Sequence, residues 1–492
     1  MEGRQVKRVV IAGGGTAGWT VAAALVKQLG QLVEIILVES DAIGTVGVGE
    51  STIPTARRFH ELIGLDERQF VCATKASFKL GIAFENWARE GDRYFHSFGT
   101  IGQSTWMADF HHVWLQARDL GIAGELGQYC FELQAAEAGK FYTGENSRLN
   151  YAYHLDATAY GQFLRHYSEP LGVTRIEGKI AEVRLAPDSG FIAALALESG
   201  EVVEGDLFID CTGFRGLLIE DALETGFEDW THWLPTDSAI AVQTEAVGPA
   251  RPYTRAIAHK AGWQWQIPLQ HRVGNGLVYC SSLLSDDEAQ ALLAERVEGT
   301  MLTDPRIIRF RAGTRRKAWN RNCVAIGLSS GFVEPLESTS IHLIMIAVTR
   351  LIQLFPFDGS HEALARRFND LSRRELEGIR DFIILHYHLN QRDEELWRNC
   401  RAMEIPPSLA QRIELFRESA HAFQAADELF RIDSWVQVMF GQRLVPVGRH
   451  PMGRLMSKEQ LGKALSSLSA NIDRAVAQLP QHQAFLDSYC PA

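Results

Sequence analysis

The residues with the clearest chemical spacing stand near the start of the 492-residue chain. Val9-Val10-Ile11-Ala12 is an apolar run that feeds Gly13-Gly14-Gly15-Thr16-Ala17-Gly18-Trp19. Gly13, Gly15 and Gly18 fit the pattern G-x-G-x-x-G, and an Ala-rich segment follows. Strand, tight turn and helix in that order suit a pyrophosphate. Gly13 permits the turn, Gly15 lets the phosphates approach the backbone, and Gly18 lets the helix pack close to the strand. The helix start, with Thr16 and Ala17, offers unpaired N–H groups and a positive dipole end. A second strand, Val33 to Val38, ends in Glu39, about twenty residues on, where a carboxylate meets ribose hydroxyls. A third, Leu207-Phe208-Ile209, runs into Asp210-Cys211-Thr212-Gly213. Its acid stands at a strand's carboxyl end, where α/β ligands bind, or else caps a turn there. These groups point to a bound dinucleotide.

The elements that must position them read as follows. Residues 7–39 form a strand–helix–strand unit. Ile43 to Pro54 carries Gly44, Gly47 and Gly49 and reads as a close-packing loop. Its residues Thr45, Val46, Gly47, Val48, Gly49 and Glu50 are placed beside the dinucleotide. Pro54 starts a helix to about Ile63. Residues 70–130 are aromatic-rich; there Lys79 sits among Phe78, Leu80 and Ile82, which argue for its partial burial, and His96, His111 and His112 follow. Tyr160–Tyr167 reads as a helix, and strands are expected near 173–185, 191–198 and 322–328. Residues 239–283 are strand-like, and Trp263 and Trp265, two apart, point to one face. A helix runs from Ile341 to Leu354, with Ser338 or Thr339 as its cap. Helical spacing recurs over 362–388, 408–420, 425–440 and 457–478. The expected fold class is α/β, with 1–350 as one body carrying inserted segments at about 70–130 and 225–300, and 351–492 as a mainly helical region of the same composite unit.

Composition narrows the function. A net charge of −11 argues against a nucleic-acid partner, which needs a basic face. No apolar run is long enough to span a bilayer. The chain enters its first strand at once, so no signal peptide is expected. The seven cysteines are odd in number, widely spaced and without C-x-x-C, so neither a disulfide framework nor a metal site is expected, and a reduced, cytoplasmic setting follows.

Four stretches together resemble the flavin-dependent halogenases of the tryptophan-halogenase type. They are the glycine turn at 13–19, Phe78-Lys79-Leu80-Gly81, Trp263-Gln264-Trp265-Gln266-Ile267-Pro268, and Gly331 to Ser340. The resemblance runs to about residue 450 and implies an FAD/NAD(P)-binding, flavin monooxygenase-like fold. It implies that FADH2 from a separate flavin reductase, O2 and chloride or bromide make hypohalous acid, which travels through an internal tunnel to a lysine beside an electron-rich aromatic substrate. Lys79 matches the family's lysine; an ammonium polarises the oxidant, and a neutral amine forms a haloamine. Glu337 matches its glutamate, which orients the oxidant or takes the ring proton; Glu334 is the near rival. Thr339 and Ser340 match the halide pair. Trp263 and Trp265 match the wall between flavin and substrate. His96 and Phe98 match the pocket lining, and Val183, Leu328 and Ile341 match FAD contacts. Homodimerisation is a further family expectation.

Two departures stand out. Ser340 replaces a family glycine, which bears on halide preference. Phe430 to Phe440 replaces the segment whose paired tyrosines fix free tryptophan, leaving Trp435 as a candidate lining residue. Without charge partners for a zwitterion, an indole-like or larger aromatic is the expected substrate. Two other readings remain: a flavin-dependent aromatic hydroxylase, and a non-catalytic flavin-binding protein.

Overall fold

The computed structural model describes residues 5–44, 49–359 and 361–491. Thr45, Val46, Gly47 and Val48 of the expected cofactor loop lie outside the described residues. The chain forms two compact units, each assembled from three segments: Met1–Ala76, Leu155–Asp237 and Arg309–Glu377 in the first; Ser77–His154, Ser238–Ile308 and Gly378–Ala492 in the second. This partition differs from a boundary at 350, because the segments about 70–130 and 225–300 fall mostly with the C-terminal helices.

The first unit is built on a six-stranded sheet ordered Trp319–Asn320, Cys323–Ala325, Leu207–Asp210, Arg8–Ala12, Glu34–Glu39, Val173–Glu177. All its pairings are parallel except that of the first two strands. Its central strands Arg8–Ala12, Glu34–Glu39 and Leu207–Asp210 are near-continuous apolar runs, as a parallel sheet covered on both faces requires. Ala12 pairs with both Val38 and Asp210, so three strands end at one level. One face carries the core cluster of Val10, Ile36, Val38, Phe208, Leu195 and Leu218. The helices Gly15–Leu29, Ala157–Ser168 and Ser340–Gln353 pack together in the same unit. The helix Thr55–Ile63 follows Pro54 and ends at Gly64 in the left-handed region, φ 73°. Its His60 is buried, with Nε2 at 2.8 Å from the Tyr160 hydroxyl.

The second unit holds a seven-stranded sheet ordered Arg306–Arg309, Ser238–Glu245, Arg272–Tyr279, Gly262–Pro268, Thr254–His259, Gly81–Glu85, Arg93–Ser97. Thr254–His259 and Gly81–Glu85 pair in parallel, and their other neighbours in antiparallel. The tryptophan strand is central. Trp265 pairs with Gly276, where any Cβ would enter the indole ring.

Several boundaries differ from expectation. The 322–328 strand is only Cys323–Ala325, and a 3-10 turn Gly327–Ser329 follows. The helix expected over 425–440 begins at Ile432. Before it, the Glu428 carboxylate accepts from the Ala425 N–H at 2.9 Å and from Arg412 at 2.6 Å. Such side-chain bonds compete with helical ones. Helices Glu395–Ala402 and His482–Tyr489 are additional. Five cysteines are buried free thiols. Cys72 and Cys490 are not among the free thiols, which cysteine spacing did not foretell. Among the described residues no helix is long and apolar enough to cross a membrane, and no His, Cys, Asp and Glu group is placed to hold a metal.

Burial sets the acid response. It lowers His60 to about 3 and His482 to about 4, so both are neutral in the fold. The unfolded chain therefore takes up these protons first. Their stabilisation is complete above pH 6.5 and is lost as pH falls towards 4, by about 1.4 kcal/mol per pH unit for each imidazole. Glu50, which burial raises to about 7, opposes this by one proton. Urea midpoints should fall between pH 6.5 and 4.5, and His60→Gln should flatten that slope. A midpoint that rises on acidification contradicts this account.

Candidate functional site

In the first unit, the glycine turn has the tight geometry its spacing implies. Gly13 has φ 98° and its N–H donates to the Val38 carbonyl at 2.8 Å. A Cβ on Gly13 would strike the Cys211 carbonyl, and one on Gly18 would strike the carbonyl of Gly13. Gly15 begins the helix with φ 65°, with Thr16 and Ala17 in its first turn. The Glu39 carboxylate lies against Gly14, where a Cβ would displace it. It accepts from Arg175 at 2.6 Å and from Trp19 Nε1 at 3.3 Å. The backbone cradle and the carboxylate at the neighbouring strand's end fit a dinucleotide such as FAD.

Asp210 is fully buried, and both carboxylate oxygens are engaged within the chain. One accepts from the Thr212 N–H and hydroxyl at 2.9 and 2.7 Å, the other from the Leu218 and Ile219 N–H groups at 2.8 Å. Burial, opposed by these bonds, leaves its pKa raised. Its carboxylate is thus the cap of this turn, the other role open to it from sequence. In the same turn Gly213 has φ 75° and open space where a Cβ would stand. Gly49 has φ 87°. Val183 pairs with Leu195 in a separate three-stranded sheet and packs on the core. Leu328 lies in the 3-10 turn after Cys323–Ala325. Ile341 is buried in the first turn of Ser340–Gln353.

Glu337 is buried at the end of a 3-10 turn, Pro335–Glu337. Its rival Glu334 accepts from the Thr236 hydroxyl at 2.5 Å. Ser338 takes a left-handed conformation, φ 59°, and Thr339 is the N-cap of the helix that Ser340 begins. No side chain caps this helix, contrary to expectation. The buried Thr339 Oγ1 has no hydrogen-bond partner among the described residues. Helix-start N–H groups beside an orphaned hydroxyl suit a small anion. The helix start is pinned by residues that sequence reasoning passed over. His342 Nδ1 lies 2.9 Å from the Thr55 hydroxyl and its Nε2 2.9 Å from Glu375, which also pairs with Arg350. Only the unusual His in an apolar helix could have signalled this.

In the second unit, Lys79 ends the three-residue strand Ser77–Lys79 and is fully buried. Its Nζ lies 5.3 Å from the centre of the Phe98 ring, within cation–π range. Burial first, then the Lys79 charge, holds His154 far below the usual imidazole range. His96 and Trp435 share one aromatic cluster. His96 lies 5.4 Å from Phe382 and 6.0 Å from Phe430, and Trp435 meets Phe382 edge-on at 4.9 Å. Phe382 was not legible in sequence, because one ring in a 27-residue helix has no distinguishing spacing. Arg412 lies 4.3 Å over the Trp435 ring and pairs with Glu428, while two further charges near Trp435 hold backbone. Asp433 accepts from the Ile101 N–H and Arg431 donates to the Phe98 carbonyl, both at 2.9 Å. A cavity of about 270 Å³ opens beside them, lined by Ile101, Phe110, His111, Arg431 and Asp433. Trp263 and Trp265 are buried, with ring centres 6.1 Å apart.

Comparison with known proteins fits this geometry. The tryptophan halogenase family model matches residues 8–458. A tryptophan 6-halogenase of Streptomyces toxytricini is 38% identical over 447 residues, covering 85% of each chain. A flavin-dependent halogenase from Xanthomonas campestris superposes with TM-score 0.98 at 52% identity, covering 99% of each chain. One from Brevundimonas sp. BAL3 gives 0.95 at 45%, covering 99% of this chain and 100% of the other. These matches favour halogenation over the hydroxylase and binding-only readings: the chain belongs to the tryptophan halogenase family and is a flavin-dependent halogenase.

Proposed function

We propose that the protein halogenates an electron-rich, indole-like aromatic compound through Lys79. The supporting observation is the complete burial of the Lys79 ammonium beside the Phe98 ring. Burying a cation is costly unless its surroundings compensate. A positioned N–H donor in such a dry site polarises an oxidant strongly.

FAD would be held by Gly13, Gly15, Thr16, Ala17 and Gly18, by Glu39, by the loop Thr45 to Glu50, and by Gly213, Val183, Leu328 and Ile341. Bound there and reduced by a flavin reductase, FAD would supply the two electrons with which O2, halide and a proton give hypohalous acid and water. The Thr339 and Ser340 N–H groups hold the halide. Trp263 and Trp265 wall the organic substrate off from the cofactor. Lys79 Nζ–H donates to the oxygen of hypohalous acid. The ring carbon takes the halogen, the oxygen–halogen bond breaks, and the leaving hydroxide takes the proton from Lys79 and departs as water. Glu337 takes the ring proton. His96, Phe98 and Trp435 line the aromatic pocket. Arg431 and Asp433 already hold backbone groups, which argues against a grip on a free amino-acid zwitterion.

Lys79→Ala should lower product formation by roughly a hundredfold or more, with FAD affinity unchanged within about twofold. Product formation at the wild-type rate removes the lysine from the mechanism. With FAD, a reductase, indole and bromide, mass spectrometry should show the bromine isotope pair. An added oxygen in its place would restore the hydroxylase reading.

A further inference from the structure

The lysine strand has one partnered edge. Ser77, Phe78 and Lys79 pair with His154, Tyr153 and Ala152. Away from that ladder the strand is held by side chains. The Ser77 hydroxyl donates to the Pro268 carbonyl at 2.5 Å, at the end of the tryptophan strand, and lies 3.1 Å from His154 Nδ1. The Phe78 N–H donates to His482 Nε2 at 3.2 Å. A buried backbone N–H is rarely left unpaired, and here an imidazole from the last helix meets that need one residue before Lys79.

The His482 ring has one assignable tautomer. Its Nδ1 lies 2.7 Å from the Ala250 carbonyl, which only accepts, so Nδ1 carries the proton. Nε2 is then the bare acceptor that the Phe78 N–H requires. Burial keeps the ring neutral, with a pKa near 4. The same helix, His482–Tyr489, grips the Phe78 ring, with Phe485 and Tyr489 each 5.7 Å away, while Phe141 stacks on it at 4.2 Å. His482 lies beyond the 8–458 span of the family match. The mechanism above assigns it no role.

We infer that His482 is a positioning residue for Lys79, fixing the backbone of the lysine strand through the Phe78 N–H. The inference rests on the proposed role of Lys79. Its consequence is a division of the oxidant. Hypohalous acid forms where the cofactor is, while its capture depends on where the lysine nitrogen stands. Displacement by about 1 Å lowers the rate of an oriented step by up to a hundredfold. Loosening Phe78 should therefore release oxidant that is made but not used.

The test compares His482→Gln with His482→Asn. Glutamine carries an amide oxygen to the position of Nε2 and can accept from Phe78. Asparagine reaches only the Nδ1 position and keeps the Ala250 bond alone. Each variant is assayed as the full chain with FAD, a flavin reductase, bromide and indole. FADH2 consumption, brominated indole and free hypobromous acid caught by a thioether trap are measured. The expected result for His482→Asn is FADH2 consumption within about twofold of wild type, brominated indole down roughly tenfold or more, and trapped oxidant up in proportion. His482→Gln should restore most of the product. Lys79→Ala is run in parallel. If it keeps wild-type halogenation, the lysine mechanism itself fails. If it abolishes product while His482→Asn partitions oxidant as wild type does, the positioning role is overturned. Equal loss of product and trapped oxidant in both His482 variants also overturns it, because that pattern marks a purely structural residue.

Discussion

The approach of the Gly18 α-carbon to the Gly13 carbonyl sets the geometry on which the cofactor turn depends. Nothing larger than hydrogen fits there, so the helix Gly15–Leu29 leaves the first strand at a fixed close distance. Gly13 makes the same demand against the Cys211 carbonyl. The parallel register of Ala12 with Val38 and Asp210 levels three strand ends and sets Glu39 against Gly14. Backbone amides and a carboxylate thus meet beside glycines that have no room for a Cβ, which suits a pyrophosphate and a ribose. Asp210 contributes indirectly: it receives four hydrogen bonds and keeps its own turn closed.

The second unit solves a different problem, a cation with no exposure. Lys79 lies beside the Phe98 ring, and burial holds His154 and His482 neutral, so neither imidazole adds a repelling positive charge. The tryptophan strand is buried by the same kind of packing. Trp263 and Trp265 lie in the middle of a seven-stranded sheet, with Gly276 making room for the second ring. The aromatic cluster of His96, Phe382, Phe430 and Trp435 continues this construction from sheet to helix within the unit.

Boundaries were legible where local chemistry decides them. Pro54 begins a helix and Gly64 ends it, both for reasons of backbone torsion. Where tertiary partners compete, reading failed. Residues 425–431 have helical spacing, but Glu428 draws Arg412 and the Ala425 N–H into a loop. The alternation of three segments in each unit was likewise hidden, because composition changes little at Ala76, Asp237 or Glu377.

By itself, the sequence determined the dinucleotide turn, the strand-end Glu39 and the family motifs around Lys79, Trp263, Trp265 and Glu337. These depend on residue type at fixed short spacing, and short spacing survives folding unchanged. Only the tertiary structure decided that Asp210 faces inward as a cap, that Glu334 is bonded to Thr236, and that Thr339 keeps an orphaned buried hydroxyl beside a helix start. It alone brought Phe382 to Trp435 and His482 to Phe78, residues 53 and 404 positions apart in the chain. Such pairings arise from long-range packing, and no periodicity in a single chain encodes which distant residue will stand opposite a given one.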